Sequence, residues 1–140
     1  MNRIRTLSVG LLAFGALFAI EAQASSAVPY YFFQSPSHNI GCIISKRGVR
    51  CDIRKKSWSP PMRPAFCFLD WGNGVTVDRH GKAEFTCAGD TALGYGKVLR
   101  YGYSVRVGRF RCLSKKSDMR CFNRRNGHGF KLSRQRARLF

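Results

Sequence analysis

Between Ser25 and Phe140 apolar residues alternate with polar ones in short runs, and Gly, Pro and aromatic residues are frequent. That pattern predicts strands of a few residues joined by turns, with almost no helix. The clearest stretch is IGCIISKRGVRCDI, residues 40–53. Folded at Lys46-Arg47, it sets Cys42 opposite Cys51, Ile44 opposite Val49 and Ile40 opposite Ile53. Side chains on a strand alternate faces, so these six residues share one side of the hairpin. Gly41, Ser45, Gly48, Arg50 and Asp52 take the other side, with Ile43 the exception. A slip of one residue would undo this agreement, so the register is specified.

A second stretch, CLSKKSDMRC at 112–121, repeats the cysteine spacing. Folded at Lys116-Ser117, it pairs Cys112 with Cys121 and puts Phe110 and Met119 on the same face. Ser114 and Asn123 share that face and make it less apolar, while Arg111, Lys115 and Arg120 point outward. VTVDRHGKAEFTC (75–87) predicts a third hairpin, with Val77 opposite Ala83 and Val75 opposite Phe85. Its loop would be Arg79-His80-Gly81, Gly81 supplying a positive φ. SWSPPMRP, with Pro60, Pro61 and Pro64, reads as an extended surface connection. The expected fold is all-β: a small antiparallel barrel or sandwich built of hairpins.

The start of the chain changes the chemistry expected of the cysteines. MNRIR, the apolar run Leu7–Ile20 and Ala22-Gln23-Ala24 have the layout of a signal peptide cut near Ala24. The apolar run is shorter than the about 20 residues that span a bilayer, and no later segment is apolar enough to do so. Residues 1–24 are therefore expected to be the signal, and residues 25–140 one disulfide-stapled β domain. The product would be exported, either periplasmic or extracellular. All 6 cysteines follow the signal, and an even number in an oxidising compartment reads as disulfides. No C-x-x-C occurs, so metal binding is not expected, nor is any cofactor. Cys42–Cys51 and Cys112–Cys121 follow from the hairpins, and Cys67–Cys87 by elimination.

Charge sets the expected partner. The chain has 25 Lys and Arg against 7 Asp and Glu, a net charge of +18. From Lys97 to Phe140 there are 14 basic residues and one acid, Asp118; from Ser25 to Gly96 there are 9 and 5. A field so concentrated in the C-terminal third argues for an anionic partner rather than for solubility alone. The candidate polyanion-binding residues are Arg106, Arg109, Arg111, Lys115, Lys116, Arg120, Arg124, Arg125, Arg134, Arg136 and Arg138. Tyr101, Tyr103, Phe110, Phe122 and Phe130 are interleaved with them. Aromatics beside arginines can hold single-stranded nucleic acid, but here the aromatics are expected mostly in the core. The closing LSRQRARLF would either pack Leu139 and Phe140 on the core or trail as a basic tail.

Catalytic chemistry is less well supported. His38, His80 and His128 could serve as acid and base in a small secreted ribonuclease, yet each sits in a turn signal. Asp70 and Asp90 could pair as carboxylates, but turn capping or an ion pair with arginine is the plainer role. Gly94-Tyr95-Gly96 has no helix signal after it and makes a weak phosphate loop.

FQSPSHNIGCII, VRCDI, FLDWG, FTCAGDT, VLRYG and NGHGFKLSRQRARLF together resemble a family of small exported bacterial proteins described only as a domain of unknown function. The resemblance runs from about Phe33 to Phe140, and implies an exported disulfide domain with no assigned activity. Where that family has Ser-Pro-Ser-Gly-Asn-Ile, this chain has His38 in the glycine position, against a shared catalytic role for it. The expected function is a non-enzymatic exported binding module, its basic surface engaging an anionic polymer or envelope surface. The alternatives are a hydrolase such as a ribonuclease using His128, and a protein inhibitor or structural accessory of the envelope.

Overall fold

A computed structural model describes residues 27–140; the proposed signal segment lies outside them. Eleven strands occur among the described residues, and no helix. The first sheet holds β1 (Tyr31–Gln34), β2 (Ile40–Ile44), β3 (Gly48–Ile53), β4 (Asp70–Asp78), β5 (Glu84–Ala88) and β6 (Lys97–Val98). Its order is β5-β4-β3-β2-β1-β6. The second holds β7 (Ser104–Val107), β8 (Phe110–Ser114), β9 (Met119–Asn123), β10 (Gly129–Leu132) and β11 (Ala137–Leu139), as a meander. The sheets stack as a sandwich, without barrel closure. All pairings are antiparallel except β1 with the two-residue β6, which run parallel.

Period-two alternation explains the core. One row across the first sheet reads Phe33, Cys42, Cys51, Val75, Phe85. The matching row of the second reads Val105, Cys112, Cys121, Phe130, Leu139. Both rows point inward and meet: Cys51 Sγ lies 3.6 Å from Cys121 Sγ. Ile40, Ile44, Val49, Ile53 and Val77 fill in from one side, Phe110, Met119 and Leu132 from the other. The three disulfides are Cys42–Cys51, Cys67–Cys87 and Cys112–Cys121. The first and last join directly opposed strand residues with Cα atoms 4.1 Å apart, close to the narrow, non-hydrogen-bonded pair of an antiparallel ladder.

The first two hairpins have the expected registers. The third keeps Val75 opposite Phe85, but its ladder ends at Thr76–Glu84, before Val77 and Ala83. Gly81 does not take a positive φ. Instead Asp78 Oδ1 accepts the N–H groups of His80 (2.8 Å) and Gly81 (2.7 Å), and this side-chain turn replaces the left-handed residue. The proline-rich connection is a surface segment, pinned where β4 bulges. Gly72 has φ +72 there, and a Cβ on it would collide with Pro60. Trp71 Nε1 donates to Pro61 O at 2.8 Å. Trp58 Nε1 reaches Ser133 O at 2.9 Å, tying the connection to the second sheet. The C-terminus is no loose tail: β11 pairs with β10, Leu139 packs against the core, and Phe140 exchanges backbone hydrogen bonds with Gly129.

Replacing Cys112 and Cys121 together by Ala is expected to cost about 3 kcal/mol through loop-closure entropy alone, measured as a lowered denaturation midpoint. Reducing all three bridges should depress the melting temperature severely. Unchanged melting in reductant would refute the central role of the staples.

Candidate anion-binding sites

The second sheet exposes one face, and its registers say which side chains stand there. One outward row carries Arg106, Arg111, Phe122 and Gly129. The next carries Ser104, Leu113, Arg120, Lys131 and Arg138. The guanidinium of Arg120 lies 5.0 Å from the ring centre of Phe122 and 5.6 Å from that of Phe140. The expectation that the aromatics sit mostly in the core needs correction. Phe110 and Phe130 are buried, but Phe122 is half-buried on the outer face, and Tyr101 and Tyr103 are 38% and 55% exposed. Phe122 differs from Phe110 by strand parity, while the two tyrosines lie in the approach to β7, outside the alternating pattern.

At one end of the strands four hairpin turns converge on an open depression of about 530 Å³. The turn after β2 brings Lys46 and that after β4 brings Arg79. Arg106 comes from the end of β7 and Arg109 from the β7–β8 turn, and the β9–β10 turn brings Arg124 and Arg125. No carboxylate lines it. Asn123, fully buried at the end of β9, organises this end. Its Nδ2 donates to the carbonyls of Asp78 and Arg79, both at 3.3 Å, and its Oδ1 accepts from Arg125 N at 3.0 Å. Arg124 N donates to Arg109 O at 2.8 Å. One buried amide thus sets the arginine turns of both sheets.

The remaining sequence candidates are dispersed. Arg111, Arg120 and Arg138 stand on the outer face. Arg136 and Arg138 border a hollow with Lys131 and Asp118. Lys115, Lys116 and Arg134 line a larger cleft at the opposite end of the strands, where SPSHN and LSRQ meet. Sequence reasoning missed Lys46 and Arg79 in the depression, and Arg54 and Lys55 in the cleft. Each lies at the end of a strand of the first sheet, and no periodicity tells which turns become neighbours across a sandwich.

The histidines do not assemble. His38 lines the cleft, its Nδ1 2.9 Å from Gln34 Oε1. His80 and His128 line neither the cleft nor the depression. Gly94-Tyr95-Gly96 is not followed by a helix. Asp90 acts structurally. Arg50 Nη1 donates to Asp90 Oδ1 at 2.7 Å, and its Nε and Nη2 hold Asp52 at 2.9 and 2.7 Å. Asp52 also accepts from Thr91 Oγ1 (3.2 Å) and Ala92 N (2.8 Å), so it clamps the loop Gly89–Gly96 over the first sheet. The loop lies so close that a Cβ on Gly41 would strike Ala92 O. The sulfurs of Cys42, Cys51 and Cys121 cluster tightly, but all three are disulfide-bonded and offer no thiolate to a metal. No helix among the described residues is long and apolar enough to cross a membrane.

A family model described as "Family of unknown function (DUF6636)" matches residues 11–140. No curated protein and no solved structure matches the chain.

Protonation follows the clamp and the turn. Burial opposes the charge on Arg50, but hydrogen bonds and the charges of Asp52 and Asp90 outweigh it and raise its pKa. The Arg50 hydrogen bond, then its charge, lowers the pKa of Asp90; the N–H groups of Gly81 and His80 lower that of Asp78. A carboxylate with a depressed folded pKa stabilises fully above its ordinary value of 3.8 and loses that contribution as pH falls through the depressed one. Melting temperature is therefore expected to fall below about pH 4, and less steeply in Asp90→Asn. Asp52→Ala should cost about 3 kcal/mol or more at neutral pH, because it strips Arg50 of its buried partner and orphans Ala92 N–H. Chemical denaturation of both variants measures these effects.

Proposed function

Since this chain belongs to DUF6636, a family of unknown function that brings no activity with it, we propose from the geometry that it is a non-enzymatic binding module. In this reading residues 1–24 are removed on export, residues 25–140 form one domain, and the arginine end grips an anionic polymer of the envelope. One observation carries it: six cations, five from four turns and Arg106 from the end of β7, surround a depression between two sheets without a carboxylate. Among the described residues the ion pairs are those of Arg50 with Asp52 and Asp90, so the cations of the second sheet have no carboxylate partner. Like charges held together raise the local potential, and a polyanion relieves it while releasing its own counterions. The three disulfides fit an oxidising compartment.

Hydrolysis has less behind it, because acid–base catalysis requires groups within reach of one reacting atom and the histidines occupy different turns. An accessory role that docks on another protein draws on a different feature. Met62, Phe66 and Phe68 of the proline-rich connection are 92%, 74% and 88% exposed. Exposed apolar side chains in one connection suit a partner surface.

The test is fluorescence anisotropy of oxidised protein with labelled oligouridylate across a salt series, RNA integrity being followed in parallel. Binding should weaken steeply with salt while the RNA stays intact. Changing Arg109, Arg124 and Arg125 together to Gln should lower the slope of log K against log salt by about 2, at about 0.7 for each phosphate no longer neutralised. Equal binding by that variant would refute the arginine end as the site. Absence of binding even at low salt would favour the accessory role, and RNA cleavage would favour hydrolysis.

A further inference from the structure

The cleft at the other end of the sandwich has a different chemistry. Its volume, about 610 Å³, falls within the range of small-molecule sites. Three turns form most of it, Ser35–Asn39 after β1, Lys115–Asp118 between β8 and β9, and Ser133–Gln135 between β10 and β11, with Arg54 and Lys55 just past the end of β3 and Tyr101 completing the wall. The walls are tied before any ligand arrives. Asn39 and Lys55 exchange two hydrogen bonds, Asn39 Nδ2 to Lys55 O at 2.9 Å and Lys55 N to Asn39 Oδ1 at 2.8 Å. Ser133 Oγ accepts from Arg136 N and donates to Arg136 O. A preformed wall spares a ligand the entropy of ordering it.

Two polar atoms at this cleft are buried and lack partners: Ser114 Oγ and Asp118 Oδ1. Ser114 is 1% exposed. The other carboxylate oxygen of Asp118, Oδ2, already accepts from Ser117 Oγ at 3.0 Å. Buried polar groups in native proteins have partners, so each orphan requires an explanation. Their chemistries differ usefully. A carboxylate oxygen accepts only, whereas a hydroxyl donates and accepts. A molecule satisfying both must bring O–H or N–H donors close to Asp118.

Around them stand Arg54, Lys55, Lys115, Lys116 and Arg134, none paired with a carboxylate among the described residues. The same molecule should therefore carry negative charge. A bare phosphate meets the cations but sets its own negative charge directly beside Asp118, with only one or two acidic O–H groups to offer. A neutral sugar meets Asp118 and Ser114 but leaves the cations unanswered. Tyr101 adds an aromatic wall against which the apolar face of a ring can lie.

We propose that this cleft binds an acidic saccharide, a hexose unit bearing a phosphate or carboxylate. Its hydroxyls engage Ser114 and Asp118, and its charge lies against the lysines and Arg134. The site is separate from the arginine depression and does not depend on the polymer reading.

Titration calorimetry of the oxidised protein with glucose 6-phosphate, glucuronate, glucose and inorganic phosphate tests it. Glucose 6-phosphate or glucuronate should bind at least about tenfold more tightly than glucose or phosphate, and the preferred one identifies the anionic group. Ser114→Ala should weaken that binding about 5–10-fold, the loss of a buried hydrogen bond. It should do so with an unchanged or raised melting temperature, because it removes an unsatisfied group from the core. The Arg109, Arg124 and Arg125 variant should bind the sugar acid like the parent, which separates this site from the polymer site. Phosphate binding as tightly as glucose 6-phosphate, or Ser114→Ala binding undiminished, would overturn the proposal. So would a lack of binding by both sugar acids.

Discussion

The sandwich turns on one contact, where Cys51 of the first sheet touches Cys121 of the second at 3.6 Å. Each sulfur belongs to a bridge between opposed residues of neighbouring strands, so each bridge fixes a register as well as a pairing. A one-residue slip in either hairpin would turn its cysteines to solvent and carry Ile44 and Val49, or Phe110 and Met119, with them. Register also fixes the turns. With β2–β3 and β8–β9 held in phase at the centre, their far ends are placed, and so are Lys46 and Arg109 at one end and Lys115 and Lys116 at the other.

A second constraint explains why so much positive charge is left over. Acids are few, and the structural ones are occupied. Asp52 and Asp90 hold Arg50 and fasten the loop over the first sheet; Asp78 closes the turn after β4. Asp70 and Glu84 are exposed on strands of the first sheet, which leaves Asp118 as the sole acid of the second. The charge asymmetry visible along the chain thus becomes an asymmetry between two layers. The layer poor in acids is the one whose outer face is open.

The hairpins were legible because three signals agreed: alternation, turn residues and cysteines placed symmetrically about each turn. Cys67–Cys87 followed by elimination. What escaped was contact between turns remote in sequence. Lys46 and Arg79 read as ordinary tips of separate hairpins, and only stacking of the sheets makes them neighbours of Arg124. Ser114 and Asn123 looked like flaws on an inward face. Asn123 is the amide that ties the arginine turns together, and Ser114 sits at the cleft without a partner. His38 shows another limit. It has φ +55, a left-handed conformation that His adopts more readily than most residues. It lies at the cleft rim, its Nδ1 2.9 Å from Gln34 Oε1.

The outer face of the second sheet bears a cost that fits this arrangement. Arg106 stands directly opposite Arg111, and Lys131 lies between Arg120 on one side and Arg138 on the other. Like charges opposed across strands destabilise a sheet. Placing Arg120 over Phe122 and Phe140 adds attraction that offsets part of this cost, and the cross-linked core beneath offsets the rest. A sheet held only by apolar burial would have less margin for three like-charged neighbour pairs. The bridges and the unpaired cations belong to one design: covalent staples stabilise the fold enough for its surface charge to remain uncompensated.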